Sequence, residues 1–209
     1  HENELMVEEK GIYSVEKFLV SRRQMYWQVY LHKAVLAAEK MLVKITERAR
    51  EIKAASGSQI LDIFLQEKYQ KNETHKLIFE FCQVDDYDMM GAIKLWSHHE
   101  DVVLSVLCKN LLKRVLFKCK LQAERFSDAT VVNKKQVIAK KLNITFDEAS
   151  YFVFTGVAEN TTYQAGDEHI NILFKDGTVK DISGVDSPLI HQTLQMPVKK
   201  FYICELIQP

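Results

Sequence analysis

Residues 12–55, IYSVEKFLVSRRQMYWQVYLHKAVLAAEKMLVKITERAREIKAA, contain neither Gly nor Pro and abound in Leu, Ala, Lys, Glu and Met. These side chains lose little rotamer freedom on a helix, so the stretch predicts one long helix, or two with a small break. Around Met25 to Leu31 the apolar residues fall on every side of the helical projection, the pattern of a segment packed on several faces. A short extended opening and Gly11 precede this spine, and Ser56-Gly57-Ser58 ends it.

Working outward, a shorter helix is expected from Gln59 to Gln66, then a polar, mobile stretch, EKYQKNETHK, at 67–76. Asp85 or Asp86 can accept the free amide hydrogens of a helix running from Tyr87 to about Ser97, and Glu100 or Asp101 can start another that reaches roughly Leu121. The remainder changes character. Lys134 to Leu142 reads as helix, and Thr145 to Glu148 as a capping box before a short helix. Tyr151 to Val157 is aromatic and β-branched, His169 to Lys175 alternates, Asp176-Gly177 is a hairpin turn, and Thr178 to Ile182 returns. Ser187-Pro188 suggests one more helix, and Phe201 to Ile207 a closing strand. The predicted fold class is mainly α with a small C-terminal α+β domain: a helical domain at 1–130 and an α+β domain at 131–209.

Composition narrows the function classes. Seven Gly and three Pro among 209 residues are few for a strand-and-turn architecture. Lys plus Arg equals Asp plus Glu at 28 each, so no overall charge excess drives binding to nucleic acid or anionic lipid, and any anion site must be local. No apolar run approaches the roughly 20 residues of a membrane span, and no signal-peptide pattern opens the chain. Cys82, Cys108, Cys119 and Cys204 lie among apolar neighbours without CxxC spacing, which suits buried thiols in a reducing compartment; a cytoplasmic location is expected. The first Met is Met6, so the chain is expected to be the trailing part of something longer.

Two groups of cations carry candidate chemistry. With about 100° per residue, Arg22, Tyr26, Tyr30 and Lys33 fall within roughly 80° of one another on the long helix. Arg supplies a planar fork of donors, Lys a point charge and Tyr a hydroxyl, the donor set that phosphate oxygens accept. Lys40 and Lys44 continue the stripe, so it also reads as a solvated face. In the stretch 101–120, DVVLSVLCKNLLKRVLFKCK, the same projection clusters Leu104, Leu107, Leu111 and Val115, with Lys118 among them and Arg114 at the edge. Cations on a packed face require an anion, whether an internal carboxylate or a bound ligand, unless the helix ends before Lys118 and lets it reach solvent.

Other motifs weigh less. His98-His99-Glu100-Asp101 puts adjacent side chains about 100° apart, which favours capping roles at a helix junction over metal ligation. His32, beside Lys33, is either a phosphate donor or a satisfied imidazole. The helix-and-turn pattern at 134–152 resembles a helix-turn-helix, but Asp147 and Glu148 would repel DNA, so nucleic acid is not the expected partner.

GIYSVEKFLVSRRQMYWQVYLHKAVLAAE (11–39), DDYDMMGAIKLW (85–96), LLKRVLFK (111–118), INILFKDGTVKDI (170–182) and KKFYICELI (199–207) resemble, in order, the C-terminal half of bacterial HD-domain phosphohydrolases, relatives of the deoxynucleotide triphosphohydrolases. The resemblance implies a helical HD-type assembly lacking its N-terminal metal-binding core. It implies a divalent metal in the parent protein, held by His and Asp ligands upstream of His1, with no metal ligands and no complete catalytic set in this chain, which alone should be silent. It places Arg22 and Tyr30 near the substrate pocket, and His32, Lys33, Arg114 and Lys118 on nucleotide phosphates, with a homo-oligomer as the working form. Leu31 and Gln28 depart from the animal enzymes' pattern, which brings the chain closer to bacterial members. The alternative from another class is a nonenzymatic helical binding or scaffolding module.

Overall fold

The computed structural model describes residues 5–68, 74–160, 169–186 and 198–207. Along the chain run strand β1 (Val7–Glu8), helices α1 (Ile12–Met25), α2 (Lys33–Glu51), α3 (Gln59–Leu65), α4 (Thr74–Phe81), α5 (Asp86–Trp96) and α6 (Val102–Leu112), and strand β2 (Lys118–Gln122). Helix α7 (Asp128–Leu142) and strands β3 (Val153–Asn160), β4 (Asn171–Leu173), β5 (Val179–Asp181) and β6 (Val198–Glu205) follow. Helix dominates, with two small sheets among the described residues. No helix among them is long and apolar enough to cross a membrane.

The chain divides into two compact units that interleave in sequence. One gathers His1–His32, Gln122–Glu124 and Val157–Phe201; the other gathers Lys33–Leu121, Arg125–Gly156 and Tyr202–Pro209. Where the sequence suggests consecutive domains meeting near 130, α1 belongs instead with the β4–β5 hairpin, and α7 with the main helical unit.

In the first unit β4 lies between β1, which runs parallel to it, and β5, which runs antiparallel. Asp176-Gly177 closes the β4–β5 hairpin as expected: Gly177 takes φ 84, and the Asp176 carboxylate accepts from both the amide and the hydroxyl of Thr178. Leu19 of α1 is buried with Ile172, Ile182 and Val185, and Val7, Ile12 and Val15 pack against them.

The second unit is built on α2, whose buried stripe of Leu36, Ala37, Met41, Ile45, Arg48 and Ala49 repeats at helical spacing and packs along α6. Trp96 at the end of α5 is fully buried and donates its indole N–H to the Ala55 carbonyl at 2.8 Å. Asp85 caps α5 in a reciprocal capping box with Asp88, and Asp101 caps α6 by accepting from Leu104. Thr145 and Glu148 form the expected capping box, and the turn of 3₁₀ helix after it covers Glu148–Tyr151.

Several expectations fail. The stretch 12–51 does form two helices with a small break, as the sequence allows, but no residue of the π-helical turn Tyr26–Tyr30 before that break is buried, so the all-round apolar pattern at 25–31 does not mark a segment packed on several faces. Helix α6 stops at Leu112, and 118–122 is strand. Helix α4 begins at Thr74, inside the stretch expected to be mobile. Cys82 is exposed, while the other three thiols are buried. The helix expected after Ser187-Pro188 lies outside the described residues.

Candidate functional site

Arg22 and Tyr30, both exposed, flank the half-buried Tyr26 in one row at the end of α1. The turn widens there: the Leu31 amide donates to the Tyr26 carbonyl five residues back at 2.7 Å, as a π-helical turn requires. The rings of Tyr26 and Tyr30 remain in contact, centroids 4.9 Å apart, and the Arg22 guanidinium carbon lies 5.7 Å from the Tyr26 ring centre. A cation on an aromatic face is worth about 0.5–1 kcal/mol at an exposed site, enough to align the guanidinium without consuming its donors. Tyr30 is 54% exposed and Arg22 is exposed, so the row offers water a planar cation and the Tyr30 phenol, with Tyr26 half-buried between them. His32 follows, exposed, and Lys33 opens α2. Arg22 and Tyr30 thus stand together in the first unit, whereas Lys33, Arg114 and Lys118 belong to the second.

The rest of the predicted stripe is neutralised internally. Lys40 pairs with Glu39 at 2.8 Å and Lys44 with Glu47 at 2.7 Å, and the Lys44 ammonium also faces the rings of Tyr151 and Phe154. These two cations are structural.

Arg114 and Lys118 are exposed, not enclosed. Enclosure of both side chains on the packed face requires α6 to continue to Leu121, and it stops at Leu112. Instead Arg114 takes a left-handed φ of 57 while its amide donates to Leu111 and that of Val115 to Asn110, the paired bonds that close a helix end. Lys118 then opens β2 on an exposed side of the strand, with Cys119 turned inward. Of the alternatives for Lys118, a helix that ends early is the one observed. One turn before Arg114, the buried Asn110 side-chain amide nitrogen finds no hydrogen-bond partner among the described residues.

A buried cation on a packed face does exist, at Arg48. Its side chain is 9% exposed and forks onto Asp101, Nε to Oδ1 at 3.1 Å and Nη2 to Oδ2 at 2.6 Å, while Glu148 and Glu51 accept at 2.8 and 3.1 Å. Burial pushes the Asp101 carboxyl up, but the Arg48 fork and the Leu104 amide outweigh it and leave Asp101 below its ordinary value. The Tyr151 hydroxyl donates to Glu51 and holds that carboxyl low, and the Thr145 amide does the same for Glu148. Arg48 lies three residues after Ile45 and seven after Met41, a spacing that exposes it as a packed-face cation in the sequence.

His99 Nδ1 accepts from the Asp101 amide, and Asp101 is committed to Arg48 and to capping α6. Among the described residues no three His, Cys, Asp or Glu side chains are grouped to hold an ion. The described residues do not fit a divalent metal.

Residues 1–64 match the family described as HD associated region. That span contains the whole Arg22–Tyr26–Tyr30 row with His32 and Lys33. A solved phosphohydrolase from Bacteroides thetaiotaomicron is 39% identical, with a TM-score of 0.84, over 98% of this chain and 53% of that one. The uncharacterised protein YwfO of Bacillus subtilis is 27% identical over 193 residues, 87% of this chain and 42% of that protein. A hypothetical protein from Aquifex aeolicus, 20% identical with a TM-score of 0.56 over 99% of this chain, shares the fold. The chain spans about half the length of the relatives it matches.

Proposed function

We propose that this chain is the nucleotide-contacting and oligomerising portion of a metal-dependent HD-family phosphohydrolase, with a deoxynucleoside triphosphate as substrate. The observation that carries the reading is the Arg22–Tyr26–Tyr30 row, exposed at Arg22 and Tyr30 and lying inside the segment that matches the HD associated region. The 39% identity to a phosphohydrolase supports the reaction class. Arg22 would receive phosphoryl oxygens through its planar fork, with the Tyr30 hydroxyl as a second donor. His32, Lys33, Arg114 and Lys118 would hold phosphates of a bound nucleotide; all four are exposed and reach solvent. The metal chemistry belongs to the parent protein.

The parent protein, assayed with magnesium or manganese, should release inorganic triphosphate from a deoxynucleoside triphosphate. No release from any nucleotide would remove the reading. The chain alone should turn over nothing; metal-dependent hydrolysis by it would place an active site within it.

The scaffolding alternative draws on one specific observation, the internal pairing of Lys40, Lys44 and Arg48. It predicts that nucleotides leave the chain's thermal stability unchanged, which a melting scan with and without dGTP decides.

A further inference from the structure

Three of the four cysteines are buried, and they are not alike. Cys108 lies on α6, fully buried, and burial alone pushes its thiol up to about 12, the state of a side chain that only packs. Cys119 and Cys204 stand on β2 and β6, neighbouring strands of one sheet, and both belong to the second unit. Their side chains meet: the Cys204 thiol donates a hydrogen bond to the Cys119 sulfur.

The two sulfurs are not equivalent. Cys119 keeps 6% of its surface in water and Cys204 none. The bond from Cys204, aided by the charge of Lys33, holds the Cys119 thiol below its ordinary value; Lys33 is itself exposed at the start of α2. That same bond, and then burial, push the Cys204 thiol up against the weaker pull of Lys40. Exposure and charge thus select the same member of the pair as nucleophile. Cys119 is the sulfur a small oxidant meets first, and Cys204 is a thiol held against it.

We propose that Cys119 and Cys204 form a reversible disulfide on reaction with a hydroperoxide, Cys119 attacking and Cys204 resolving. The Cys119 thiolate attacks one peroxide oxygen and the O–O bond breaks. The departing oxygen takes up a proton, and Cys119 is left as a sulfenic acid. The Cys204 sulfur then displaces the sulfenic oxygen: the S–O bond breaks as the S–S bond forms, and the Cys204 proton leaves with that oxygen as water. Each sulfur gives up one electron, and hydrogen peroxide ends as two waters. The bridge ties β2 to β6 directly after Lys118, and a small dithiol reverses it by exchange. The reaction involves no nucleotide, so its test is separate from the nucleotide reading.

The test treats the folded 209-residue chain with hydrogen peroxide, alkylates the remaining thiols under denaturing conditions, and maps the peptides by mass. The expected product is a Cys119–Cys204 link that dithiothreitol removes, with Cys108 still alkylated. Cys108 is the nearest thiol to Cys119 in sequence, so closure in an unfolded chain would favour a Cys108–Cys119 link instead. In Cys204→Ser, peroxide should leave Cys119 as a sulfenic acid that dimedone traps; in Cys119→Ser, Cys204 should remain an alkylatable thiol. The map of the parent chain needs neither variant, so a substitution that unfolds the protein leaves the test intact. Absence of the link, a Cys108–Cys119 link in its place, or a dimedone adduct on Cys204 rather than Cys119 would overturn the proposal.

Discussion

Arg48 shows what a cation on a packed helix face demands. The rule that such a charge must meet an anion holds, and the anions are the protein's own: Asp101 at the start of α6, Glu148 in the Thr145 capping box, and Glu51 one turn further along α2. Removing the guanidinium leaves Asp101, half-buried, facing two other carboxylates. Arg48→Met should therefore destabilise the chain by about 3–5 kcal/mol, measured as a drop in the denaturant midpoint. An Arg48→Met, Asp101→Leu double variant should recover part of that loss, because no unpaired charge then remains.

The same cluster sets a pH dependence. Asp101, Glu51 and Glu148 all have folded values below their ordinary 3.8 and 4.5, so the stability they contribute is complete above about pH 4.5 and lost as pH falls through their depressed values. Tyr151 runs the other way: burial first, then the neighbouring Glu51 carboxylate, push its hydroxyl up to about 12. Its contribution is complete below pH 10.0 and lost as pH rises through about 12. Denaturant midpoints should be flat between these limits and fall outside both; a flat profile down to pH 2 would show the cluster to be energetically silent.

At the level of elements, the helix starts marked by acidic or hydroxyl caps were partly legible: α7, expected from Lys134, begins at Asp128 behind a Ser127 cap, and several helix ends were missed. Asp85, Asp101 and Thr145 announce themselves as acceptors before a periodic run, and each does accept the expected amide hydrogens; Ser58, read only as the end of the spine, caps α3 as well. The ends escape notice because the left-handed residues are Lys53 after α2, Glu67 after α3, Arg114 after α6 and Asn143 after α7, none of them glycine. In each case the next amide reaches back five residues to a helix carbonyl, as Val115 does to Asn110 at 2.8 Å. With no Gly to mark the stop at 113–114, helical periodicity alone carries α6 on to Leu121 and turns an exposed Lys118 into an enclosed one. Arg114→Gly should relieve the left-handed strain and raise stability by about 1 kcal/mol in thermal unfolding. If Arg114 also holds a nucleotide phosphate, the same variant gains stability while losing nucleotide affinity, a combination that a purely structural residue does not give.

At the scale of the whole molecule, the mainly helical class with a minor β component was readable from composition and periodicity, whereas the partition was not. Joining α1 to the β4–β5 hairpin depends on Leu19 finding Ile172 and Ile182, a pairing across more than half the chain that no local pattern encodes. The row of Arg22, Tyr26 and Tyr30 was readable because i, i+4 spacing survives the π turn. Lys33 dropped out of that row because the helix is interrupted at Leu31, with φ −99 and ψ 18, before α2 begins. The proposed phosphate contacts draw on cations that are exposed in both units: Arg22 and His32 in the first, Lys33, Arg114 and Lys118 in the second.

Calorimetric titration of the chain with dGTP tests this most directly. The nucleotide reading predicts saturable heat, weakened about tenfold or more in Arg22→Ala and in Lys118→Ala, with melting temperatures unchanged because both side chains are exposed. Absence of binding, or affinities that neither substitution alters, would contradict it.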